Sequence, residues 1–185
     1  MKRFIFPLAI LFLFITFIYS QPVLSAEKRG MVQIEGAFGM KLGEPVSGSI
    51  NTSSKSLDDG TEIHYFSPKN NIEYFEEYWV RKTPLSKKVY SIEAETEYDS
   101  LHQCEIRFKA IAELLKRTYG GGERNDFGPI RSFLIRSPHR LIQAGCFPKL
   151  KGATLKVVYK DENLVAVVGK EAVEVEMNKL INSGL

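Results

Sequence analysis

The sequence predicts a two-layer α+β fold: a mainly antiparallel sheet with a long helix over residues 100–119 packed on one face, and a shorter helix at the C-terminus. Three observations lead there. Residues 100–119 repeat apolar side chains every three or four positions, placing Leu101, Cys104, Phe108, Ile111, Leu115 and Tyr119 on one helical face. Segments on either side alternate apolar and polar residues with the period of two of half-buried strands. The only two cysteines, Cys104 and Cys146, fall on the helix face and on a strand.

The first 26 residues are read as a secretory signal peptide. Lys2 and Arg3 give a positive start, Phe4–Tyr19 is a nearly unbroken apolar run, and Leu24-Ser25-Ala26 offers a small-residue cleavage site. Ser20 offers a second. The run is 16 residues long, short of the roughly 20 that span a bilayer, so no stable membrane insertion is expected after cleavage. Removing residues 1–26 leaves 159, enough for one domain with a core, and lowers the formal charge from +3 to +1. That balance excludes nucleic acid as a partner, which needs a clustered basic excess. In an exported chain an even pair of cysteines reads as a disulfide, here Cys104–Cys146.

Residues 27–35 read as a polar leader with a short strand at Val32–Ile34, and residues 36–185 as a single domain. In GAFGMKLGEP, residues 36–45, glycines bracket Phe38 and follow Leu42, so a backbone bend lets both apolar side chains dip into the core. This FG-x-x-LG opening is similar to the start of several small, uncharacterised exported bacterial proteins; the resemblance implies no site residue. Residues 47–60 read as a polar loop.

Strands are expected at 62–66, 74–82 and 88–98. On the last, Tyr90, Ile92, Ala94, Thr96 and Tyr98 face the helix, while Ser91, Glu93, Glu95 and Glu97 face away. Ser100 and Gln103 have capping-box spacing, and Gly120–Gly122 end the helix. Strands at 130–136, 140–147 and 153–160 follow, and 164–168 reads as a short apolar strand. The stretch 171–182 fits a strand through Val173, Val175 and Met177, or a helix face through Val173, Met177, Leu180 and Ile181. It is read as helix because Glu, Lys and Met favour that state.

Little in the chain points to chemistry. His64, His102 and His139 lack metal-ligand spacing, and no GxSxG, HExxH or phosphate-cradling glycine loop occurs. No metal, cofactor or catalytic residue is therefore assigned. Ser137 and His139 share a tight turn that does not by itself hold a nucleophile against its base. Glu93, Glu95 and Glu97 form an acidic stripe that would suit Ca²⁺, or be offset by Arg81, Lys82, Lys87 and Lys88 on a neighbouring strand.

The density of Tyr65, Phe66, Tyr74, Phe75, Tyr78, Trp79 and Tyr90 stands out. Along 74–82, Tyr74 and Tyr78 alternate with Phe75 and Trp79. One pair is expected to lie open as a binding surface, because aromatics are enriched where proteins meet partners. The expectation is a periplasmic or secreted, non-enzymatic binding protein of the bacterial cell envelope whose partner is another envelope protein. The alternatives are a hydrolase-type enzyme, or a small inhibitor or immunity-type protein. A cleft gathering titratable groups would favour the enzyme, and an open apolar patch the binding protein.

Overall fold

The computed structural model describes residues 32–46, 53–69 and 72–183. The expected signal peptide and residues 47–52 of the polar loop lie outside them. A small hairpin, β1 (Gly36–Ala37) and β2 (Met40–Lys41), precedes a meander of β3 (Ser54–Ser56), β4 (Glu62–Tyr65), β5 (Glu77–Lys82) and β6 (Val89–Tyr98). Helix α1 (Leu101–Tyr119) carries the chain to the far edge, where β7 (Glu123–Arg124), β8 (Arg131–Arg136), β9 (Arg140–Pro148) and β10 (Ala153–Asp161) meander back. Helix α2 (Glu162–Asn182) closes the chain. The eight-stranded sheet runs β3-β4-β5-β6-β10-β9-β8-β7, antiparallel throughout. The fold is thus two-layer α+β, built from two four-stranded meanders that meet at β6 and β10, each followed by a helix.

The ends of α1 are set by local chemistry. The Ser100 hydroxyl accepts the N–H of Gln103 at 3.3 Å. Gly120 adopts φ +72° and donates its N–H to the Lys116 carbonyl at 2.8 Å. Between these caps Cys104, Phe108, Ile111 and Leu115 are buried against the sheet. Their counterparts are Ile92 and Ala94 of β6, Leu155 and Val157 of β10, and Ile142 and Ala144 of β9. Fully burying each large apolar side chain contributes about 1.5–3 kcal/mol. The disulfide is present: Cys104 is bonded to Cys146, their Cα atoms 5.9 Å apart, which fixes α1 over β9.

The opening motif is a tight hairpin. Phe38 and Gly39, at φ +55° and +85°, form its two-residue turn. Leu42 is buried and Phe38 packs against the core. The expected strand at Val32–Ile34 does not form, and this segment joins no ladder among the described residues; buried Ile34 is held through its carbonyl, which accepts from Arg140 at 2.7 Å.

Three further readings are corrected. Within the expected polar loop, Ser54–Ser56 form β3 and pair with β4. Between β5 and β6 a bulge sets Arg81 opposite Ser91 and Lys82 opposite Val89, leaving Tyr90 without a partner. Val89 therefore enters the core, and Tyr90 lies against the Arg81 guanidinium rather than facing the helix with Ile92.

The expected strand at 164–168 belongs to α2, which at 21 residues is longer than the 19 of α1. Valines favour strands, but that preference yields to context, and Asp161 supplies an N-cap by accepting the Leu164 N–H at 3.1 Å. Polar contacts then anchor α2. Glu171 accepts the N–H groups of Leu85 and Ser86 at 2.7 and 3.1 Å. Lys179 donates to the Asp58 carbonyl at 2.8 Å. Among the described residues, no helix is long and apolar enough to cross a membrane.

Candidate functional site

The aromatic residues do not form the open face expected of them. β5 begins at Glu77, so its alternation does not reach back to Tyr74 and Phe75. A turn in which Phe75 donates its N–H to the Ile72 carbonyl folds the Phe75 ring in beside Tyr78, with centroids 6.2 Å apart. Both rings are in the core under α1. The Tyr78 hydroxyl donates to the Ile72 carbonyl at 3.0 Å and takes the Ile72 N–H at 3.1 Å, which locks this turn. Trp79 alternates to the opposite face but is only 6% exposed. Lys156 lies 4.8 Å from its ring centroid and Tyr65 stands 6.1 Å to the side. Tyr74 is half-buried, with Arg107 4.7 Å over its ring.

What the aromatics build instead is a cleft. Phe38, at the tip of the β1–β2 hairpin, meets Tyr78, Tyr159 and Phe75 edge-on, with centroids 5.0, 6.0 and 6.4 Å away. Ile72 and Phe75 make one wall. Ile111 and Leu115 of α1 make the other, above Val157 of β10. Leu114, 47% exposed, and Tyr119 form the rim. The enclosed space is about 110 Å³. On its floor, burial and then the adjacent Tyr119 push the Tyr159 hydroxyl well above the usual phenol range, so it stays protonated.

Size and lining limit what this cleft takes. Sites for whole small molecules run to about 300–1,000 Å³, while an engineered apolar cavity of about 150 Å³ holds one benzene. A space of about 110 Å³ therefore matches a single apolar ring or branched side chain. The lining carries no charge, and its polar groups are the Tyr119 and Tyr159 phenols and the Thr118 hydroxyl, which donates to the Leu114 carbonyl at 2.9 Å. The arrangement suits binding of an apolar group and gathers no nucleophile with a base.

The acidic stripe of Glu93, Glu95 and Glu97 is matched by cations. Arg81 donates to Glu93 at 2.8 Å, Lys156 reaches it at 2.7 Å, and Ser91 donates at 2.9 Å. Burial would raise the Glu93 carboxyl, yet these partners hold it below the usual range. Lys156 also reaches Glu95 at 3.6 Å, and Lys149 pairs with Glu97. The expected offsetting charge is thus supplied by Arg81 and by two lysines outside the set named from sequence. Lys82 and Lys87 turn instead to Glu62, at 2.8 and 2.7 Å.

Among the described residues, no three of His, Cys, Asp and Glu gather as a metal site would require. His64 contacts Glu62 at 2.9 Å. The Ser137 hydroxyl donates to the Arg140 carbonyl at 3.2 Å.

Of the four aromatics expected as a binding surface, Tyr74, Phe75, Tyr78 and Trp79, only Phe75 lines the cleft, and Tyr78 buttresses it from below. Phe38, Ile72, Leu114, Tyr119 and Tyr159 were not foreseen as a group. The one signal pointing toward them is the glycine-bracketed Phe38. No protein-family model, curated protein or solved structure matches the chain.

Proposed function

We propose that this chain is an exported, non-enzymatic binding protein of the bacterial cell envelope, which docks another envelope protein by taking one of its apolar side chains into the cleft under Phe38. The uncharged cleft of about 110 Å³ carries this reading, being too small for a whole metabolite and the right size for an anchor residue. Export is supported by the signal-like pattern of residues 1–26, and by the Cys104–Cys146 bond, because disulfides persist in oxidising compartments.

Two measurements test it. Mass spectrometry of the native protein is expected to show a start near Glu27; full-length protein in the cytoplasm would overturn the export reading. Leu114→Trp places a large ring at the rim, where the side chain is half-exposed and stability is expected to hold. A partner crosslinked to the parent protein in the envelope fraction is expected to be lost with this variant. Equal capture by both proteins would show that the cleft is not the docking point.

A further inference from the structure

Helix α2 has two apolar faces, and the described residues of the chain cover only one. Leu164, Val168, Ala172 and Val175 are half-buried, and Val175 sits against the turn at Gly60. On the opposite side Ala166, Val173 and Leu180 recur every seven residues, with Gly169 and Met177 between them. Val173 is 60% and Met177 56% exposed. A sustained apolar row at this spacing is the seam along which helices pair.

The row is complementary to itself. An antiparallel copy related by a two-fold axis at Val173 sets Met177 over Gly169 of the second copy, Leu180 over Ala166, and Val173 against Val173 on the axis. Each of the first two contacts sets a large side chain against a small one, as an isologous interface requires. Lys170 and Glu174 border the row on one flank, and the same operation brings each opposite the other. A parallel pairing would face Glu174 toward the flank of Glu176, setting like charges together.

Gly169 is a separate observation. Glycine inside a helix costs about 1 kcal/mol relative to alanine. Among the described residues nothing lies within 4 Å of where a Cβ at this position would stand, so packing against them does not require glycine.

We infer that α2 is a homodimer interface, two copies of this chain pairing antiparallel along Ala166, Gly169, Val173, Met177 and Leu180. At about 1.5 Å per residue the helix is roughly 30 Å long. One such stripe falls below the ~800 Å² per partner of a standard interface. The dimer is accordingly weak, dissociating in the micromolar range. This inference does not depend on the cleft.

Sedimentation velocity of the purified protein between about 5 and 500 µM tests it. The sedimentation coefficient is expected to rise from the monomer value toward that of the dimer. Gly169→Leu is expected to abolish the rise while the melting temperature stays level or increases, because leucine favours helix. Lys170→Glu is expected to weaken the dimer about tenfold, and Lys170→Glu with Glu174→Lys to restore it. A monomer throughout the range, a dimer indifferent to Gly169→Leu, or a charge swap that fails to restore pairing would each overturn the inference.

Discussion

Arg140 and Asp161 face each other across β9 and β10, with Arg140 Nε donating to Asp161 Oδ2 at 3.0 Å. The pair joins three parts of the molecule. The other carboxylate oxygen caps α2 through Leu164, while the remaining guanidinium nitrogens donate to the carbonyls of Ile34 and Leu42 at 2.7 and 3.2 Å. Replacing Arg140 by Ala leaves a nearly buried carboxylate unpaired, so a loss of about 3 kcal/mol is expected. Arg140→Lys is expected to recover little, since an ammonium does not reproduce the planar fork that meets three acceptors. Urea denaturation of both variants measures this; full recovery by lysine would show that charge alone matters here.

The disulfide ties α1 to β9 and closes a separation of 42 residues. Such a loop is worth about 4 kcal/mol in the chain-entropy picture. Cys104→Ser and Cys146→Ser are each expected to cost about 2–5 kcal/mol, and the double variant little more than either. Additive losses in the double variant would show that each cysteine acts by packing alone.

Glu62 predicts an acid dependence. Lys82 and Lys87, then His64, hold its carboxyl well below 4.5, at about 2. A depressed carboxyl contributes stability in full above the unfolded value, and loses it as pH falls through the folded one. Glu62→Gln is therefore expected to be destabilising at pH 7, by about 1 kcal/mol given solvent screening at this strand end. The penalty shrinks below pH 4.5 and vanishes near pH 2. Comparing urea midpoints at pH 7 and pH 3 decides it, because a penalty independent of pH would remove the ion pairs as its source.

Trp79 is the chain's one tryptophan. Its covered ring predicts blue-shifted emission that moves to the red on unfolding and resists quenching by iodide in the native state. Phe75→Ala and Trp79→Ala are each expected to cost about 3–5 kcal/mol, the usual loss for a buried large aromatic. Emission at the solvent-exposed wavelength in the folded protein would contradict the placement of Trp79 beneath Lys156.

The parts readable in the sequence are those where several local signals agree. For α1 the Ser100 cap, the apolar stripe and Gly120 all point the same way, and the alternation around Ala144 aimed Cys146 at Cys104. The pairing of β10 with β6 was hidden, because strands far apart in sequence find their register only through the assembled core. Lys156 and Lys149 were therefore not seen as the partners of Glu93, Glu95 and Glu97. The valine run at the start of α2 reads as a strand because valine favours that state, and the Asp161 cap that sets it in a helix is seen only in the structure. At the site, the glycines around Phe38 were legible as a bend into the core. The cleft itself depends on α1 and β10 meeting the hairpin tip, which no local pattern encodes.

Titrating the purified protein with indole while following methyl resonances by NMR tests most directly whether the cleft accepts an apolar group. Saturable shifts are expected at Ile72, Ile111, Leu114, Leu115 and Val157, with none at Val165 or Val173, and Leu114→Trp is expected to abolish them. Methyls that stay unmoved up to the solubility of indole, or shifts that persist in Leu114→Trp, would contradict the assignment of this cleft as a binding site.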